Sequence, residues 1–90
     1  MAHHDLKMWS GHFQHVVNGD MKADIRHTRD RVFKKGDSVT FHEIETIKDS
    51  YDVTFTGRDI SAQLGYVSEH GMLPGHVCLS LTRVGLLIIK

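Results

Sequence analysis

The sequence predicts one small α+β domain that is mostly β, a set of short strands forming an open or closed barrel with a single short helix packed across it. Three observations lead there. Apolar and polar residues alternate in several short runs, the mark of half-buried strands. One early run instead spaces its apolar residues as a helix does. And at 90 residues the chain has room for one hydrophobic core, residues 1–90 forming a single domain.

The elements follow in order. Within residues 4–8, Leu6 and Met8 share one face of a short strand. Ser10 stands where a helix N-cap belongs, its hydroxyl able to accept a free backbone N–H of the first turn. Phe13, Val16 and Val17 then make one apolar stripe, and Asn18-Gly19 ends the helix, glycine suiting the left-handed residue past a helix C-terminus. Two turns of helix are not stable alone in water, so this one must lie against a sheet. Residues 21–26 alternate, with Met21, Ala23 and Ile25 on one face and Lys22, Asp24 and Arg26 on the other. Lys35-Gly36-Asp37 is a turn signal, after which residues 38–44 resume alternation with Val39 and Phe41 inward.

Thr56-Gly57-Arg58-Asp59 reads as a hairpin connection into a longer strand over residues 60–67, with Ile60, Ala62, Leu64 and Tyr66 on one face. Proline and glycine make residues 72–75 a loop. The strand over residues 76–82 turns Val77, Leu79 and Leu81 inward and Cys78 outward. The apolar extension at residues 84–90 is too uniformly hydrophobic to be a free tail. It either folds back to complete the barrel or pairs with a second copy through an exposed edge, which would make a homodimer.

Composition narrows the class. The longest uninterrupted apolar stretch, Leu86-Leu87-Ile88-Ile89, is far short of the roughly 20 residues that cross a bilayer. The N-terminus has no basic region followed by an apolar run, so it does not read as a secretory signal. Cys78 is the only cysteine, which excludes an internal disulfide and an all-cysteine metal site and makes a cytoplasmic location the simplest expectation. The 11 basic and 11 acidic residues cancel, yet the charge is unevenly spread. Arg26, Arg29, Arg31, Lys34 and Lys35 cluster against one acid, Asp30, while the following stretch is acidic. A neutral protein can still offer a basic face to a phosphate.

The combination His4-x-Leu6-Lys7, a short helix ending at Gly19, a strand ending Asp24-Ile25-Arg26, and then Asp30-Arg31-x-Phe33-x-x-Gly36-Asp37 resembles the ASCH domains of the PUA-like superfamily. It is most similar to a small branch of them found in bacteria, phages and mobile elements. Thr56-Gly57-Arg58 before a strand and Gly75-His76-Val77 opening the last one fit the same pattern, and the likeness spans residues 4–81. The resemblance implies a small PUA-like β-barrel with the helix near its mouth, a cleft lined by the first strands, and RNA or a related nucleotide as ligand. One enzymatic branch is an amidohydrolase on acylated cytidine that uses a lysine and a threonine just before the Ile-Arg pair, with a glutamate later. On this chain the lysine falls on Met21 and the threonine on Asp24, so both functional groups are missing. Lys22 is adjacent, but one residue along a strand points to the opposite face.

Four constellations could carry chemistry. The polar face Lys22, Asp24 and Arg26, with His4 and Lys7 on the neighbouring strand segment, could grip a phosphate through the permanently charged fork of Arg26, with Asp24 orienting it or accepting from a base edge. Its bland counterpart is an exposed face with a salt bridge. The loop carrying Arg29, Arg31 and Lys34 could bind phosphates in a salt-dependent way, with Phe33 either a stacking platform or, the reading favoured here, an anchor into the core. Trp9 and Tyr66 read as core for the same reason. His12 and His15 could share a metal with His3 or His4, though histidines from a chain end make a poor cage and no metal or other cofactor is expected. Cys78 reads as packing rather than as a nucleophile.

The function expected is therefore a nucleic-acid-binding module for RNA or a nucleotide fragment, using Lys7, Lys22, Asp24, Arg26, Arg29, Arg31 and Lys34, with His4 and Phe33 as additions and no catalytic residues. The competing classes are a hydrolase on a modified nucleoside or RNA, and an accessory protein that contacts a host protein.

Overall fold

A computed structural model describes every residue of the chain except Asp30. The acid counted among the loop cations, and the first residue of the Asp30-Arg31 motif, therefore lie outside the described residues. The elements are β1 (His3–Trp9), α1 (Ser10–Asn18), β2 (Ala23–His27), β3 (Ser38–Thr46), β4 (Val53–Ser68), β5 (His76–Thr82) and β6 (Ile88–Ile89). They form one sheet in the order β1-β3-β4-β5-β2, with β6 added against β4. The β1–β3 pair is parallel and the rest are antiparallel.

β4 shapes this sheet. Its residues 53–63 pair with β3 and its residues 63–68 with β5. One long strand thus belongs to two ladders, and the sheet coils around a single apolar face. Among the described residues β1 and β2, the two ends of the order, do not pair, so the sheet is not closed into a barrel. Leu6, Met8, Val39, Phe41, Ile60, Ala62, Leu64, Val77, Leu79 and Leu81 fill the concave side, and Phe13 and Val16 of α1 pack onto them. The alternation expected of β1, β3 and β5 is the one observed.

Several boundaries differ from the sequence expectation, each for a local reason. Ser10 is the first helical residue rather than the cap. The chain turns from strand to helix at Trp9 (φ −60°, ψ 144°), and no side chain caps the helix. At the other end Gly19 is left-handed (φ 83°), as expected, and the free carbonyl of His15 accepts from Asp20 and Met21 N–H.

Thr56-Gly57-Arg58-Asp59 is not a hairpin connection. It lies inside β4 at an irregularity opposite residues 42–44, where Gly57 is left-handed and a Cβ would meet the Lys90 carbonyl oxygen at 3.0 Å. The β3–β4 turn comes earlier, at residues 47–52, where Asp49 takes a positive φ. The C-terminal segment returns to the sheet. Ile88 and Ile89 fold back onto Asp59 and Arg58 of β4, though without closing the sheet. No helix is long and apolar enough to cross a membrane.

Candidate nucleic-acid interface

β2 turns its polar residues toward the concave side. Asp24 stands opposite Leu79 and Arg26 opposite Val77, and directly opposed residues on paired strands share a face. Because Leu79 and Val77 are buried, Asp24 and Arg26 point inward, while Ala23 and Ile25 are exposed. Arg26 Nε donates to Asp24 Oδ2 at 2.5 Å, and its guanidinium lies 5.7 Å from the centre of the Phe41 ring. The pair is half-buried, so it is not the solvated surface salt bridge of the bland reading. It opens into a cleft of about 330 Å³ that Lys7, Trp9 and His12 also line. This cleft lies between the unpaired edges of β1 and β2.

The loop from β2 to β3 builds a second site. Phe33 is only 6% exposed and belongs to the core, its ring tilted against that of His4 at 4.6 Å between centroids. It is an anchor and not a stacking platform. His4 is buried as well, its Nε2–H donating to Asp37 Oδ2 at 2.9 Å. His4 borders neither cleft, and Phe33 shows only a small part of its ring at the floor of the cavity described next.

The same Asp37 carboxylate accepts from the backbone N–H of Ala2 (3.1 Å) and of Lys34 (3.0 Å). These bonds hold its carboxyl below the usual range, that to His4 most of all, against the opposing effect of burial. Gly36 N–H donates to Leu64 O, which ties the loop to the sheet just after its lysines, and Asp37 N–H donates to Lys34 O within the turn. With Phe33 below and Asp37 behind, Arg31, Lys34 and Lys35 are left on the outer surface. They border a cavity of about 750 Å³ together with Tyr66, Glu69 and His70 from the β4–β5 hairpin.

The sequence-derived residues thus divide. Asp24, Arg26 and Lys7 meet at the first cleft, and Arg31 and Lys34 at the second. His4 and Phe33 lie beneath, and Lys22 and Arg29 are exposed and line neither. Lys7 also sets its ammonium 5.8 Å from the centre of the Phe55 ring. Arg31 reaches back to the Asp5 carbonyl, at the outer limit of a hydrogen bond (3.5 Å).

Three residues at these sites escaped the sequence reading. Trp9 and Tyr66, assigned to the core, are 48% and 67% exposed, and Lys35 was counted only as loop charge. Gly65 was the available signal for Tyr66, since an isolated glycine inside a strand marks a bulge. Among the described residues no three His, Cys, Asp or Glu side chains are placed to share a metal ion. His15 is instead engaged with Asp20, at 3.0 Å.

A coiled, open, mostly antiparallel sheet with one helix and two polar clefts defines the class, a small mostly-β domain that concentrates cations in a loop. The chain belongs to the family described as a domain of unknown function, DUF3850, which matches residues 3–81. No curated protein matches it.

Proposed function

We propose that the protein is a nucleic-acid-binding module whose ligand is RNA or a nucleotide fragment of it. One observation carries the reading. Arg31, Lys34 and Lys35 converge on one cavity of about 750 Å³, and among the described residues none of them is engaged in a salt bridge. Cations held together by a tied-down loop attract a polyanion and lose little conformational freedom on binding it. Arg26 and Lys7 extend the basic surface into the neighbouring cleft. The order of motifs supports reading the coiled sheet as an ASCH-like variant of the PUA-like barrel, opened between β1 and β2, and a cytoplasmic location accords with this function.

The hydrolase alternative has less behind it. Met21 brings no amine to the position where the resemblance expects lysine, and the Asp24 carboxylate is taken up by Arg26. Fluorescence anisotropy with labelled single-stranded RNA, duplex RNA and single-stranded DNA, at low and physiological salt, tests the proposal. Binding that falls with salt and is weakened in the Lys34→Gln/Lys35→Gln double variant is the expected result. No binding to any of the three at tens of micromolar protein overturns it and leaves a host-protein partner as the reading to pursue.

A further inference from the structure

Beyond the irregularity at Gly57, β4 breaks its alternation a second time, where it pairs with β5. Leu64 pairs with Leu81, and the next paired residue is Val67, opposite Leu79. The bulge between them moves Val67 into the inward position that strict alternation would give to Tyr66. Tyr66 is thereby turned outward, beside Arg31, Lys34 and Lys35 on the rim of the basic cavity. Bulges re-aim side chains in this way and are common next to functional sites.

Gly65 makes the bulge sterically feasible, because a Cβ there would meet Thr82 Cγ2 at 3.0 Å and Ser80 Cβ at 3.6 Å. The bulge lets Val67 pack against the core from a partly buried position and leaves the ring of Tyr66 outside it. Together the bulge and the glycine set a large, two-thirds exposed aromatic ring beside three cations.

We propose that Tyr66 is a base-stacking residue of this cavity, and that the ligand is an unpaired nucleobase carrying its phosphate. The inference rests on the reading of the cavity as a nucleic-acid interface and goes further by excluding the duplex as the preferred ligand. A ring face accepts any exposed base by stacking, whereas a base inside a duplex has both faces covered by its neighbours. Arg31, Lys34 and Lys35 hold the phosphate, and Tyr66 fixes the base next to it. The same base-plus-phosphate chemistry is found in a single strand and in a free nucleotide.

The test compares unmodified protein with Tyr66→Ala, Tyr66→Phe and Lys34→Gln/Lys35→Gln, using a labelled 12-nucleotide single-stranded RNA, its matched duplex, and AMP as competitor. Tyr66 is exposed, so its variants should fold, and a thermal unfolding curve checks that they do. Tyr66→Ala is expected to weaken single-strand binding by about 5- to 150-fold, the range that removing one stacking partner gives, with Tyr66→Phe within about twofold of the unmodified protein. The duplex should bind more weakly than the single strand. AMP that displaces the RNA points to a nucleotide pocket, and AMP that fails to displace it points to a strand-binding surface. Tyr66→Ala binding as tightly as unmodified protein, while the lysine variant loses affinity, overturns the stacking role and leaves the interface standing. Failure of the unmodified protein to bind any of the probes overturns both.

Discussion

His4 and Asp37, 33 positions apart in the chain, meet in a buried hydrogen bond of 2.9 Å from Nε2 to Oδ2. The same carboxylate holds the backbone N–H groups of Ala2 and Lys34, so one side chain fastens β1, the basic loop and the start of β3. Asp37→Ala would leave these donors without their acceptor, at a cost of about 3 kcal/mol. The variant should also bind RNA more weakly, although Asp37 does not border the cavity, because the loop that presents Lys34 loses its anchor. Because the folded-state pKa is lowered from 3.8, this stability is present above the unfolded value and is lost as pH falls through the folded one. Urea titrations at pH 7 and pH 3 should therefore show unmodified protein and variant converging in acid.

His42 faces two carboxylates on the convex side of the sheet, Asp59 at 2.8 Å from Nδ1 and Asp5 at 3.0 Å from Nε2. Lys90 also reaches Asp59, at 2.6 Å, and His3 lies 3.6 Å from Asp5. Both ring nitrogens can donate only in the imidazolium, and the bond to Asp5 above all raises the His42 pKa from 6.5, against its partial burial. A raised pKa contributes stability that is complete below the unfolded value and is lost as pH rises through the folded one. Stability should thus decline from pH 6 toward pH 8.5. His42→Gln should flatten that decline and cost on the order of 1 kcal/mol at pH 6, read as a pH series of unfolding midpoints.

Particular residues show where the sequence was legible. The apolar faces of β1, β3 and β5 could be read because period-two alternation and burial agree there. Gly19 and the loop at residues 72–75 could be read because their backbone demands are local. Irregularities hid the rest. Gly57 looked like a turn, but it serves a strand that bends within the sheet and meets the returning C-terminus. Tyr66 looked like core because alternation, carried through Gly65, turns it inward, and one extra residue reverses that. β2 was read as two faces without a sign, since Ala23 and Ile25 look more apolar than Asp24 and Arg26. Pairing with β5 determines which face turns inward, and that is a long-range fact. The two clefts lie where these irregularities fall, so the charges could be named in advance but not their grouping.

Glu43 is buried at the β4 irregularity, where Arg58 donates to it from Nε at 2.7 Å and from Nη2 at 2.6 Å, and the Thr56 hydroxyl donates as well. Arg58 also bonds Gln14 at 3.2 Å and covers the Phe13 ring at 5.1 Å, tying α1 to the sheet. The two partners differ in burial, so the two truncations should differ in cost. Arg58→Ala strands a buried carboxylate and should cost about 3–5 kcal/mol. Glu43→Gln leaves the arginine, 27% exposed, able to reach water, and should cost about 1–2 kcal/mol. Arg58 holds the Glu43 carboxyl below its ordinary value of 4.5, so the stabilisation from this pair is present above that value and fades in acid. Denaturant titrations of both variants at pH 7 check the order, and equal costs would show that the carboxylate is not the group that needs its partner.

The salt dependence of binding measures how many phosphates the protein holds, and so separates the two clefts. Each phosphate neutralised on a single strand contributes about 0.7 to the slope of log affinity against log salt. Three contacts, from Arg31, Lys34 and Lys35, give a slope near −2, and the Lys34→Gln/Lys35→Gln variant should fall to about −0.7. Arg26 provides the sharper comparison, because its guanidinium is already engaged with Asp24. If it grips a phosphate, Arg26→Ala should flatten the slope by a further 0.7 or so. If the Asp24–Arg26 pair reads a base edge or shapes the cleft, affinity should fall while the slope holds. The half-burial of the pair and its place over the Phe41 ring favour the second outcome, since a phosphate is held most cheaply where water still reaches it. Anisotropy titrations at four salt concentrations decide between them.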